Sequence, residues 1–154
     1  MLAKTFTYSH SVLVPYRAEQ VFAVVDDVDN YHRFLPNCAG SGIVSRVRLE
    51  QSERVLGFMD LGFKGFSYRF ESDNLHAAPS RIDMRLLKGP FKFLTGQWVF
   101  KPLSDGTVSG CRVSLDMQWQ YDNALLALTL GQRFDGLAKQ LLDAFIAETA
   151  RRAG

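Results

Sequence analysis

Histidines and carboxylates are the first residues to consider for chemistry, because they serve as acids, bases and metal ligands. His10, His32 and His76 lie far apart in the chain and form no HxxH or HExxH pattern. We therefore predict that each is a surface or capping residue. Gly40-Ser41-Gly42 lacks the flanking residues of a nucleophile elbow, and the sequence has neither a P-loop nor a GxGxxG motif.

The carboxylates give no stronger catalytic signal. Asp60 lies in the apolar run at residues 56–61, and Asp83 and Asp116 occupy strand positions expected to face outward. Solvated strand surface explains them better than catalysis. The cluster at residues 26–29 lacks the ligand spacing of a calcium loop and is predicted to serve capping and turn formation. The sequence thus predicts no catalytic residue, no metal site and no cofactor.

Alternating apolar and polar residues predict strands along much of the chain. The pattern is clear at residues 5–14, 66–71, 81–86 and 111–121, whereas residues 55–60 are apolar on both parities. Helical spacing predicts a helix at residues 17–26, and Asp29 is predicted to cap a second short helix through Phe34. Apolar residues three and four apart from Phe134 to Ile146 predict one long final helix.

The resulting order is one strand, two short helices, six strands and a long helix. Short connections favour antiparallel neighbours, so the predicted fold class is α+β, with a curved antiparallel sheet of about seven strands. A one-faced sheet that closes on a single helix tends to enclose a groove. This arrangement favours binding over catalysis.

Two segments have features of a ligand pocket. Leu94, Trp98 and Phe100 share one strand face, and Gly96 leaves that face bare, as happens at a bend or where a ligand approaches closely. Core packing also explains the two aromatic residues, so both interpretations stay open. Residues 124–130 are apolar nearly all round, so we expect them to be buried or to face a partner, a ligand or a lipid surface.

Four motifs stand out along the chain: residues 31–38, the run from Gly89-Pro90-Phe91 to Trp98 and Phe100, the strand entry at residues 110–113, and Phe134 with Ala144-Phe145. Together they resemble the coenzyme-Q-binding branch of the START-like superfamily, which also includes polyketide cyclases and a bacterial ribosome-association toxin. The resemblance covers nearly the whole chain, as one domain over residues 1–154. One departure is Pro36-Asn37-Cys38, where the family commonly has Trp in the central position.

The resemblance implies a helix-grip fold with a hydrophobic tunnel between the sheet and the last helix. It also implies a ligand, a polyisoprenoid quinone such as ubiquinone, bound without catalysis in support of respiration. The residues expected to line the tunnel are apolar or aromatic, and any of them also suits an ordinary core: Phe66, Tyr68, Phe70, Met84, Leu86, Trp98, Met117, Trp119, Leu126, Leu130 and Phe134.

Two alternatives follow from the same resemblance. A ribosome-association toxin would bind the large ribosomal subunit through outward basic residues, for which the candidates are Arg46, Arg48, Arg54, Lys88, Lys92, Arg151 and Arg152. A cyclase or aromatase would need a polar group deep in the pocket, and Tyr68 is the one candidate that the sequence offers.

Composition adds weaker constraints. The net charge of +2 is too small to indicate nucleic-acid binding, and Cys38 and Cys111 show no metal or redox spacing. Residues 1–14 are typical of a strand and not of a secretory signal, and no apolar run is long enough to span a bilayer. We expect a cytoplasmic protein that contacts the inner membrane surface transiently.

Overall fold

The first strand of the sheet pairs with the last one, so that the two ends of the chain's β-structure meet. The computed structural model describes residues 4–63, 65–104 and 109–154. All neighbouring strands are antiparallel and follow the order β1-β7-β6-β5-β4-β3-β2. Their bounds are β1 Phe6–Val14, β2 Cys38–Arg48, β3 Glu53–Phe63, β4 Phe66–Ala77, β5 Arg81–Lys88, β6 Phe91–Ser104 and β7 Ser109–Tyr121.

The described residues also form four α-helices. They are α1 Ala18–Asp26, α2 Tyr31–Phe34, α3 Ala124–Leu130 and α4 Phe134–Ala153, with short 3-10 turns at Val28–Asn30 and Gly131–Arg133. The predicted α+β class, the seven antiparallel strands, the short helices after β1 and the long C-terminal helical segment are all confirmed.

The long final segment is interrupted where the sequence has Gly131. This residue has φ +47°, a left-handed conformation that glycine adopts without a steric cost. Its carbonyl accepts a hydrogen bond from the Tyr121 hydroxyl at 2.5 Å, and Asn123 caps α3 by accepting from the Leu126 amide at 2.9 Å. The segment is therefore two helices with separate packing.

Helix α4 buries one stripe against the sheet. Its buried side chains include Phe134, Leu137, Leu142 and Phe145, at the three-and-four spacing that the sequence shows. Phe145 packs edge-on against Trp98 with ring centroids 5.3 Å apart. Complete burial of one such side chain contributes about 1.5–3 kcal/mol to folding, so this stripe fixes the position of α4.

The predicted capping role of Asp29 is wrong. The residue lies inside the Val28–Asn30 turn, and its carboxylate accepts a hydrogen bond from the Ile43 amide at 2.8 Å. A short carboxylate side chain accepts from whichever backbone amide its turn brings close. Here that amide belongs to β2, so Asp29 ties the helical connection to the sheet.

Candidate functional site

A cavity of about 120 Å³ lies between the concave face of the sheet, helix α4 and the α1–α2 connection. Most of its wall is apolar, and aromatic rings form a large part of it. The apolar wall consists of Val25, Val28, Phe58, Met59, Leu61, Phe70, Ile82, Met84, Leu86, Leu94, Trp98, Leu115, Met117, Phe134, Ala138, Leu141 and Phe145, with Tyr31 beside them.

One end of the cavity is polar. Ser72, Asn74 and His76 point inward from β4 and line the same space, and Asn74 and His76 are buried. The Asn74 amide nitrogen donates to the Val55 carbonyl at 3.1 Å and to the Ser72 hydroxyl at 3.0 Å. The cavity therefore has a polar end on β4 and an apolar body under α4.

The buried His76 pairs with Asp26, the last residue of α1, whose side chain is partly exposed. The Nδ1 atom of His76 is 2.7 Å from Oδ1 of Asp26, and the same carboxylate oxygen accepts from Nη1 of Arg46 at 3.1 Å. Arg46 also contacts Glu53 at 3.1 Å. Burial favours the neutral acid at Asp26, but the hydrogen bonds from His76 and Arg46 outweigh it, and the pKa of Asp26 falls below its ordinary value.

The prediction that His76 is a surface or capping residue is wrong. Only 3% of its side chain is exposed, and its ring packs edge-on against Phe22 with centroids 6.2 Å apart. His10 and His32, by contrast, are exposed. The sequence did contain a signal: His76 has the same strand parity as Tyr68 and Phe70, so continuing that alternation through β4 places it on the inner face.

The structure brings many of the predicted lining residues together. Phe70, Met84, Leu86, Trp98, Met117 and Phe134 line the cavity. Tyr68 and Leu130 line a smaller pocket beside it, which shares Leu61, Phe70 and Phe134 with the main cavity. Trp119 is fully buried and packs against Phe134 with centroids 5.0 Å apart, and Leu126 packs on the core. The side chain of Phe66 lies outside the described part of the structure.

The bare face at Gly96 is filled by neighbouring methionines. A Cβ atom at this position would lie 2.4 Å from Cε of Met84 and 3.1 Å from Cγ of Met117, and both methionines line the cavity. The gap that the sequence shows on β6 is therefore occupied by side chains of the two adjacent strands. Gly96 therefore lies next to the cavity, behind the side chains of Met84 and Met117.

Asn37, which departs from the family pattern, occupies a strained turn. Its φ is +60°, in the left-handed region where asparagine is enriched among non-glycine residues. Its carbonyl accepts a hydrogen bond from the Gly62 amide at 2.7 Å, which joins the turn before β2 to the end of β3. In this turn Asn37 therefore contributes its backbone conformation and its carbonyl hydrogen bond.

Most of the predicted ribosome-contacting residues are paired with carboxylates. Arg46 contacts Asp26 and Glu53, Arg54 contacts Asp73, Lys88 contacts Glu71, and Arg151 and Arg152 contact Glu148. Arg48 and Lys92 are exposed. Among the described residues, these two form no ion pair. The candidates therefore do not form one unpaired basic surface.

The three carboxylates considered for catalysis lie outside the cavity. Asp60 forms a two-point contact with Arg69, at 2.8 and 3.0 Å, Asp83 contacts Arg81, and Asp116 accepts from the Ser9 hydroxyl at 2.5 Å. No cluster of three or more histidine, cysteine or acidic residues suitable for a metal occurs within residues 4–63, 65–104 and 109–154. In the same residues, no helix is long and apolar enough to cross a membrane.

A curved sheet that grips a C-terminal helix over an apolar cavity defines the START-like class of proteins. The model of the family described as "Polyketide cyclase / dehydrase and lipid transport" matches residues 14–146. The chain belongs to this family.

Named relatives fall into two groups. The chain is 36% identical over 137 residues to the "Ribosome association toxin RatA" of Escherichia coli K12, a match that covers 89% of this chain and 82% of the relative. It is 28% identical over 148 residues to the mitochondrial "Coenzyme Q-binding protein COQ10" of Drosophila melanogaster, covering 96% of this chain and 60% of that protein. A solution structure of an 18 kDa Caulobacter crescentus protein superimposes with a TM-score of 0.76 at 27% identity, covering 97% of this chain and 99% of that one.

Proposed function

We propose that this protein binds, without catalysis, a hydrophobic ligand that carries an oxygen-substituted ring, and that the ligand is a polyisoprenoid quinone such as ubiquinone. The observation that carries the proposal is the apolar cavity with a polar end at Asn74 and His76. A ring oxygen suits that end, and an apolar tail suits the rest of the wall. The name of the Drosophila relative supports the quinone, and binding of this kind would support respiratory use of the quinone.

The size of the cavity indicates which part of the ligand it holds. Apolar cavities of roughly 150 Å³ bind a benzene-sized ring, and this cavity has about 120 Å³. A tail of several isoprene units needs more room. The small pocket beside the cavity shares Phe70 and Phe134 with it and reaches Leu130 on α3, so we expect the tail to run toward α3. Each buried CH₂ group contributes about 0.8 kcal/mol.

We also propose that α3 contacts a lipid surface when the ligand is exchanged. Leu125 and Leu128 are 73% and 85% exposed and lie three residues apart, on one face of the helix. Lys88 and Lys92 flank the β5–β6 turn, and the Pro90 carbonyl in this turn accepts a hydrogen bond from the Asp122 amide just before α3. Apolar side chains beside lysines suit an anionic membrane surface.

Tryptophan fluorescence tests the ligand proposal directly. The chain has two tryptophans: Trp98 lines the cavity, and Trp119 is packed beyond Phe134. Titration with a short-chain ubiquinone should quench fluorescence along a saturable curve. A Trp98→Phe variant should lose most of this response, and Trp119→Phe should keep it.

Native mass spectrometry and lipid extraction of the freshly purified protein should identify a stoichiometric isoprenoid lipid. A linear fluorescence response together with no copurifying lipid would contradict the proposal. The same extracts distinguish binding from turnover, since a cyclase or aromatase would return a chemically altered ligand after incubation. This control matters because a histidine held by a carboxylate is also the arrangement of a general base.

Ribosome association is the second candidate function, and the 36% identity to RatA favours it. Contacts with RNA phosphates release counterions, so such binding weakens steeply as salt rises. The protein should then cosediment with large ribosomal subunits at low salt. Charge reversal at Arg48 and Lys92 tests this better than charge reversal at Arg46, whose guanidinium contacts Asp26, the partner of His76.

The two functions predict opposite results for the Arg48→Glu/Lys92→Glu variant. A lipid-binding protein keeps its quinone affinity in this variant and shows little cosedimentation in either form. If salt-sensitive cosedimentation occurs and the variant loses it, ribosome association replaces quinone binding as the first interpretation.

A further inference from the structure

The hydrogen-bonding role of Nδ1 in His76 follows from its partner. Asp26 also accepts a hydrogen bond from Arg46, and an ionised carboxylate can only accept. The proton between Asp26 and His76 therefore lies on Nδ1 of the imidazole. In a neutral imidazole the other nitrogen, Nε2, then has no proton and acts as an acceptor.

Nearby polar groups do not use this acceptor. The Asn74 amide nitrogen donates to Val55 and Ser72, and the Tyr31 hydroxyl donates to the Val25 carbonyl. Nδ1 carries the one hydrogen bond found for the His76 ring within the described residues. The ring lines the cavity with 3% of its side chain exposed, so a ligand in the cavity is positioned to donate a hydrogen bond to this ring.

We propose that Nε2 of His76 accepts a hydrogen bond from a hydroxyl group on the ligand's ring, so that the cavity binds the reduced, hydroquinone form of the proposed ligand more tightly than the quinone, and a phenol more tightly than its methyl ether. This inference rests on the proposed function and names the ring chemistry that the same site prefers. Asp26 acts as a positioning residue, because it fixes the imidazole tautomer and the orientation of the ring.

The physical basis of the selection is desolvation. A site that hydrogen-bonds a hydroxyl group discriminates strongly against an analogue that lacks it, since the buried acceptor is then left unpaired. A methyl ether has no proton to donate, and it places a methyl group against Nε2. A quinone carbonyl is itself a hydrogen-bond acceptor, so its oxygen would face the lone pair of Nε2 with no proton between them.

Isothermal titration calorimetry with para-hexylphenol and its methyl ether tests the inference. The two probes share a ring and a tail and differ in the hydroxyl proton. We expect the phenol to bind about tenfold more tightly, the effect of one hydrogen bond in a desolvated site. In His76→Phe this ratio should fall to about one while the ether still binds. His10→Phe, at an exposed histidine, should keep the wild-type ratio.

Nitrogen-15 NMR of the wild-type protein gives a second measurement that needs no variant. The His76 ring should show a protonated Nδ1 and an unprotonated Nε2, and the Nε2 resonance should shift when the phenol binds. Equal affinities for both probes, or a protonated Nε2 in the free protein, would overturn the inference and leave the proposed function intact. If neither probe nor short-chain ubiquinone binds, the proposed function itself fails.

Discussion

Nδ1 of His76 lies 2.7 Å from Oδ1 of Asp26, although 50 positions separate the two residues in the chain. The contact joins the end of α1 to β4 at the polar end of the cavity. Arg46 and Glu53 extend it to β2 and β3. One carboxylate thus connects a helix end to two strands, and Arg46 links the third strand, so the polar end of the cavity is tied to the structural core.

Removing this carboxylate should destabilise the fold. Asp26→Ala leaves His76 buried without its partner, and we expect a loss of about 2–3 kcal/mol at neutral pH, measured by urea unfolding. The pKa of Asp26 is lowered in the folded state, so its contribution is fully present above its ordinary value of 3.8 and is lost as the pH falls below it. The difference between wild type and variant should therefore shrink on acidification.

The matched control for this experiment is Asp83→Asn. Asp83 is also a paired carboxylate, but it lies on the outer face with 38% of its side chain exposed. Exposed ion pairs contribute about 0–1 kcal/mol, so this variant should unfold close to wild type. If both variants lose the same stability, the buried pair has no special role.

Glu148 should stabilise the end of α4 in a pH-dependent way. Arg151 donates to both of its carboxylate oxygens at 2.7 and 2.6 Å, and Arg152 contacts one of them at 2.8 Å. These arginines hold the pKa of Glu148 at about 2. Because Arg151 is mostly exposed and Arg152 is partly exposed, solvent screens both contacts, and we expect Glu148→Gln to cost about 1–2 kcal/mol at pH 7.

The depressed pKa determines the pH window of this effect. The stabilisation should be complete above the ordinary value of 4.5 and should disappear as the pH falls through about 2. Thermal unfolding of both proteins at several pH values measures it. A stability difference that stays constant down to pH 2 would show that the carboxylate acts through packing and not through charge.

Filling Gly96 should affect both the fold and the cavity. Gly96→Leu pushes the side chains of Met84 and Met117, which line the cavity, away from their positions. Overpacking of this kind costs about 1–3 kcal/mol. The displaced methionine side chains occupy space that the ligand needs. The loss in free energy of quinone binding should therefore exceed the loss in free energy of unfolding. An unchanged affinity in a folded variant would contradict the proximity of this strand to the ligand.

Gly136→Ala is the control for Gly96→Leu. Gly136 is exposed in the first turn of α4, and a Cβ atom there meets no atom within 4 Å beyond its chain neighbours and the helix's own backbone. Alanine removes the helix penalty of glycine, so the variant should gain up to about 1 kcal/mol in thermal unfolding. Its quinone affinity should equal that of wild type, which separates a general effect of added volume from an effect on the cavity.

Replacing the exposed leucines of α3 should weaken membrane contact. Leu125→Ser combined with Leu128→Ser removes apolar surface that α3 presents to solvent, so stability should change by less than about 0.5 kcal/mol. Cosedimentation with anionic phospholipid vesicles should decrease, and affinity for a soluble short-chain quinone should not. Unchanged vesicle binding would remove α3 from the proposed contact.

Periodicity in the sequence was sufficient to predict the α+β class, the sheet and the buried stripe of α4. A strand or helix that buries one face must repeat apolar residues at period 2 or 3.6, and this repeat is visible in residues 111–121 and from Phe134 to Phe145. It also placed Met84, Trp98 and Met117 on the inner face, where they line the cavity.

The partners of each inner side chain depended on the tertiary structure. Period 2 assigns a residue to a face, but it does not say which distant residue stands opposite, because that depends on strand order and helix position. The sequence alone therefore predicts a turn residue at Asp26, a surface residue at His76 and an outward-facing basic residue at Arg46. Only the approach of α1 to β4 and β2 decided that these three residues form one hydrogen-bonded network, which runs from the buried His76 to Asp26 and Arg46, both partly exposed.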